Sequence, residues 1–221
     1  MDFKELHIWL NKPTPNISIT IFRIVFSAIL LIQTYYFFHN DFINENIIKP
    51  LILFPFIKSL NPAPKLILNI LAYTMLASNI GMIINRTARI SILIFLCCFT
   101  YFWILDKGYF NNHYYFISLI CFLLFLTDTG GAIKKNILIP RASILSLQLM
   151  VVIVYFISGI NKLNPYWLID FQPIKHILEI KSEVSQNNIF SQNWLIVTMV
   201  YGGILFDLFI GFLLLFKKTK L

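Results

Sequence analysis

Residues 148–167 read QLMVVIVYFISGINKLNPYW. An apolar run with one polar residue, Gln148, near its start continues to Ile160 and ends on Asn161 and Lys162, with Tyr166 and Trp167 close behind. Extended back to Ala142, the run is long enough, at about 1.5 Å per residue, to cross a hydrocarbon core of roughly 30 Å. Amides, a lysine and aromatics at its end are what a membrane helix carries where it meets the headgroups. A lysine at such a mouth has two uses. It can snorkel its ammonium to the headgroups. Or, in a half-dry pocket roofed by aromatics, it can lose its proton readily enough to act as a base. On this segment alone the anchor reading is the plainer one.

The whole chain shares that character. Of its 221 residues 58% are hydrophobic and 13% charged, with a mean hydropathy of +0.75. The 22 Phe and 10 Tyr suit a helical bundle with interfacial belts. The formal charge of +8 is scattered between apolar runs, which points to topology and anionic lipid headgroups and away from nucleic acid. Cys97, Cys98 and Cys121 all lie inside apolar runs, so they read as packing residues and not as a disulfide or metal framework. The first apolar run is long and lacks a small-residue cleavage signal, so it reads as a retained span.

Apolar runs predict spans at about 17–38, 66–84, 90–105, 114–127, 142–160 and 194–216. The expectation is an all-α integral membrane protein, a bundle of about six transmembrane helices forming a single domain over 1–221. The fourth span is short, so it starts earlier or leans on protein. Residues 51–57, broken by prolines at 50 and 55, are too few to cross and should lie at the interface. Asn85–Arg89 reads as a tight turn. With six spans, the short connections on the side of the termini carry Arg86, Arg89, Lys134, Lys135 and Arg141, and the C-terminal Lys217, Lys218 and Lys220 join them. By the positive-inside rule both termini are cytoplasmic. The stretches holding His113 and Lys162 then share the exoplasmic face (periplasmic, extracellular or lumenal).

Polar residues inside the spans need partners. Arg23 lies about 9 Å into the first span and Asp207 about 13 Å from the end of the last, at 1.5 Å per residue. Asn79 and Gln148 fall at similar depths. A buried polar layer is expected there, with Arg23 and Asp207 as its ion pair, because either charge alone would be expensive in hydrocarbon. Gly202, Gly203 and Gly211 suit close helix packing in the last span. The four histidines show no ligand spacing, so no metal site is expected. Nor is there a phosphate loop, a nucleophile elbow or a haem motif. What remains at the exoplasmic mouth is Lys162, His113 and several amides, a set suited to proton transfer on an amphiphilic substrate.

Several stretches are shared with a known family: LDKGYFNNHYY (105–115), the opening 148–167 stretch, GGILFDLFIGFLLLF (202–216), IFRIVF (21–26) and FPFIKSLNPAP (54–64). Together they resemble the vitamin K-dependent γ-glutamyl carboxylases and the related horizontally transferred transmembrane (HTTM) domain. The resemblance implies a lyase and epoxidase that uses reduced vitamin K or a related quinol, with O2 and CO2 as co-substrates and no metal. Quinol oxygenation to the epoxide would drive carboxylation of glutamyl residues in a peptide or protein. By motif match Lys162 is the base and His113 assists at the glutamyl carbanion, while Asn112 orients substrate. Tyr166 and Trp167 above Lys162, or a nearby cation such as Lys107, would favour the neutral lysine that the role needs.

The chain departs from the carboxylases in three ways. It matches only their membrane half, it has no cysteine in the loop before Phe54, and Asn161 stands where they carry a second lysine. Besides the bilayer, the implied partner is therefore a subunit supplying the missing C-terminal half. The rival readings are a non-catalytic membrane module that binds quinone, lipid or a partner subunit, and an inactive remnant.

Overall fold

The computed structural model describes residues 2–50, 52–108, 111–127, 137–213 and 215. Gly130, Gly131, Lys134, Lys135, Lys217, Lys218 and Lys220 lie outside the described residues, as do Tyr109 and Phe110 of the 105–115 stretch. The chain is an all-α membrane protein. Its long helices are α2 (Ile17–His39), α3 (Lys65–Ile83), α4 (Ala88–Ile104), α5 (Asn112–Leu126), α6 (Arg141–Asn161) and α9 (Asn193–Leu213). Among them α2, α3, α6 and α9 are long and apolar enough to cross a membrane, while α4 and α5 are shorter apolar helices. The smaller helices are α1 (Phe3–Leu10), α7 (Pro165–Leu168) and α8 (Ile174–Ser185). By internal packing the chain forms two compact units, Met1–Ile144 and Leu145–Leu221.

In the first unit α2, α3, α4 and α5 pack in chain order. Leu30, Leu68, Ala72, Met82, Ile92 and Leu124 are almost completely buried between them. On α2 the buried stripe is Ile19, Thr20, Arg23, Ser27, Leu30 and Thr34, whereas Ile21, Val25, Ile29 and Ile32 are exposed. This helix is more polar inside than out. Lipid solvates the apolar face, and hydroxyls and amides are satisfied against neighbouring helices. The turn between α3 and α4 is tight because Thr87 Oγ1 donates to Gly81 O at 2.9 Å.

Two short strands, β1 (Pro13–Pro15) and β2 (Leu138–Pro140), pair antiparallel and tie the leader to the start of α6. Arg141 lies over the Trp9 ring at 4.0 Å beside them. Hydropathy gave no hint of this ladder. The 51–57 segment, expected at the interface, docks on the end of α4. Phe56 N–H donates to Ile104 O at 3.1 Å, and Lys107 N–H to Phe54 O at 2.7 Å.

In the second unit α7 starts at Pro165 because Asn164 caps it, accepting from Trp167 N–H at 3.2 Å. Leu178 of α8 is buried against Ile196, Val200 and Ile204 of α9, with Trp167, Leu168, Phe171 and Ile174 packed around them. The connection after α6 therefore covers the first half of α9. Tyr201 O–H fixes it by donating to Leu168 O at 3.0 Å.

Candidate functional site

Lys162 follows the last turn of α6, and Ser158 sits one turn earlier on the same face, at the i, i+4 spacing. Both donate to the same oxygen of Asp207 on α9, Lys162 Nζ at 2.7 Å and Ser158 Oγ at 2.9 Å. The helices meet closely here because a Cβ on Gly159 would stand 2.8 Å from the Leu208 side chain, and one on Gly211 would stand 2.8 Å from Val152 Cα. Of the glycines expected at close packing, Gly211 serves that purpose, whereas Gly202 and Gly203 meet nothing within 4 Å. The tight contact instead uses Gly159, three residues before the lysine.

The Lys162 ammonium also lies 5.0 Å from the Trp167 ring centroid, within cation–π range. Side-chain exposure is 22% for Lys162 and 11% for Asp207, so the pair is shielded but still reachable. Both hydrogen bonds fall on Oδ2, which leaves Oδ1 as a further acceptor for a hydroxyl. An amine, a hydroxyl and a carboxylate in mutual reach can take a proton and return it. A flat aromatic wall beside them suits an uncharged ring. Tyr166 points outward and is 55% exposed.

The expected ion pair between Arg23 and Asp207 is corrected by these partners. Arg23 is fully buried and donates to Met82 O at 2.9 Å and to Asn85 Oδ1. Met82 lies in the last turn of α3, where carbonyls lack helical partners and the dipole favours a cation. Counting from the far end of the last span puts Asp207 near the depth of Arg23. In fact α9 starts well beyond the end of α6, so Asp207, about 21 Å into α9 at 1.5 Å per residue, comes level with Ser158 and Lys162. The single polar layer separates accordingly. Asn79, also fully buried, donates to Thr34 Oγ1 at 3.3 Å and not to the Arg23 cluster. Gln148 is half-buried on α6.

The other predicted site residues belong to the first unit. Asp106 is buried and accepts from Phe54 N–H at 3.2 Å and Gly108 N–H at 2.9 Å, so it organises the turn. Lys107 is exposed, with its ammonium 5.6 Å from the Phe56 ring. Asn111 caps α5, accepting from Tyr114 N–H at 2.9 Å. The cap explains why the helix starts at Asn112, before the apolar run. Asn112 and His113 occupy its first turn and are exposed. The 54–56 and 105–108 stretches are thus brought together, while Lys162 and His113 belong to different compact units.

Sequence reasoning missed Ser158 and gave Asp207 the wrong partner. The available signal was the spacing of Ser158, Gly159 and Lys162, which puts a hydroxyl, a close approach and a cation along one helix end. A family model described as the HTTM domain matches residues 11–221. No solved structure matches the chain.

Proposed function

Because the chain belongs to the HTTM family, whose domain is associated with vitamin K-dependent carboxylase-type proteins, we propose that it is a quinol-dependent, carboxylase-like membrane enzyme with Lys162 as its base. The observation that carries this reading is the Lys162–Asp207–Ser158 cluster beside Trp167. When bound, a reduced quinol supplies the reducing power that turns O2 into one epoxide oxygen and one water while CO2 adds to a glutamyl γ-carbon. The chain's own residues have narrower tasks. Lys162 Nζ, in its neutral form, takes a proton from a hydroxyl of the ring. Asp207 then faces the ammonium so formed and offsets its charge where lipid would not. Ser158 holds the carboxylate oxygen in place. Trp167 gives the ring an apolar wall and limits water. His113 and Asn112 act on the glutamyl side, and the mouth faces the exoplasmic side with both termini cytoplasmic.

The test is epoxide formation by the detergent-solubilised protein, supplied with reduced quinone, O2, a glutamyl peptide and labelled CO2. Epoxide from the wild type and none from Lys162→Ala supports the base, and label in the peptide supports carboxylation. Equal epoxide from both removes Lys162 from the chemistry. The same ion pair favours one other reading, a non-catalytic module in which Lys162 and Asp207 only neutralise each other between α6 and α9. Wild-type protein that makes no epoxide but binds quinone would select it.

A further inference from the structure

In the first unit the end of α2, the turn after it and the end of α4 line a pocket of about 180 Å³ that is open on one side, where Gln33, Tyr36 and Asn40 are exposed. Its walls are aromatic. Phe37 meets Phe102 edge-on at 4.9 Å, and Phe99 meets Tyr114 edge-on at 5.6 Å, with Trp103 completing the lining. No charged side chain is among the described residues that line it. An ion would give up hydration there for neutral amides and hydroxyls and no opposite charge, so the pocket favours an uncharged ligand.

Its hydrogen-bonding groups narrow the choice. Thr34 Oγ1 already donates to Leu30 O at 2.8 Å and accepts from Asn79 at 3.3 Å. Tyr114 is different. Its oxygen accepts from Gln33 Nε2 at 3.3 Å, which fixes the hydroxyl while leaving its proton for another acceptor. The amides of Asn40 and Asn46 stand in the same lining and offer both donors and acceptors. A dry cavity of about 150 Å³ holds a benzene ring. A slightly larger pocket, with a poised phenol O–H and amides, has room for a ring that carries a hydroxyl.

We propose that this pocket is a binding site for a small uncharged aromatic alcohol, its ring between Phe37, Phe99 and Trp103 and its oxygen on the Tyr114 hydroxyl. The site needs neither Lys162 nor turnover, so it stands independently of the carboxylase-like reading.

Equilibrium dialysis of labelled 1-naphthol against the full chain in lipid nanodiscs tests it, with protein-free nanodiscs subtracted. The expected result is saturable binding that Tyr114→Phe weakens about tenfold, the scale of one hydrogen bond. 1-Methylnaphthalene, which lacks the oxygen, should bind wild type and Tyr114→Phe alike, and charged 1-naphthoate should not saturate. Should Tyr114→Phe fail to fold, Gln33→Met on the exposed face removes the amide that orients the tyrosine and should weaken 1-naphthol about threefold. Three probes that partition alike, or 1-naphthol binding untouched by the variant that folds, would overturn the proposal.

Discussion

Two cations in or beside the apolar helices are handled in opposite ways. Arg23 is wholly enclosed; its two terminal nitrogens donate to a backbone carbonyl at the end of α3 and to the Asn85 amide, while its Nε has no partner among the described residues. Lys162 keeps 22% of its side chain exposed and faces a carboxylate and an aromatic ring. A planar guanidinium with five donors and a permanent charge is suited to stitching helices together. An ammonium at a mouth, next to an acceptor with a spare oxygen, can exchange its proton with a visitor. The difference separates a cation sealed among helices from one that keeps access to the outside, although sequence placed both in or beside membrane helices.

The comparison can be broken at several points. Arg23→Leu should have the largest effect, about 3 kcal/mol of lost stability, because it strands the buried Met82 carbonyl and takes away the partner of the half-buried Asn85. Unfolding of the protein in detergent would show it, and a loss below about 1 kcal/mol would end the structural reading of Arg23. Gly159→Leu comes next at about 2 kcal/mol, since its side chain must displace Leu208 where α6 and α9 nearly touch. That variant should also part Lys162 from Asp207, so any epoxide activity should fall with stability.

Charge removal sharpens the contrast. Asp207→Leu alone leaves Lys162 without its carboxylate, an expected loss of roughly 1–2 kcal/mol at a partly exposed site. In Asp207→Leu/Lys162→Met much of that stability should return while any activity stays absent. A double variant no more stable than the single one would show that the pair is not the unit described here. The smallest effect belongs to Gly202→Ala. Its added methyl meets nothing within 4 Å, so the unfolding free energy should match the wild type within about 0.5 kcal/mol.

Much of the fold was legible because the signals were local. Each apolar run predicted a helix within a few residues of its observed ends, and Asn111 supplied the cap that starts α5 before the run does. Lys162 and Trp167 were also legible as a cluster, since five residues of sequence and a helix end bring them together. The β1–β2 ladder was not, because residues 13–15 and 138–140 carry no alternation that announces pairing. Neither was the docking of 54–56 on 104–107, which rests on non-local backbone hydrogen bonds and on the Asp106 carboxylate.

The sequence by itself determined the all-helical membrane character. In lipid each backbone group must find its bond within the segment, so a long apolar run has few alternatives to a helix. It also determined that Arg23 and Asp207 required partners, because an unpaired charge in hydrocarbon is too costly to keep. Only the tertiary structure decided which partners those are. The register of α9 against α6 depends on how far α7 and α8 push its start beyond the end of α6, and on the glycines that let the two backbones approach. That offset carries Asp207 to Lys162 and leaves Arg23 to the end of α3.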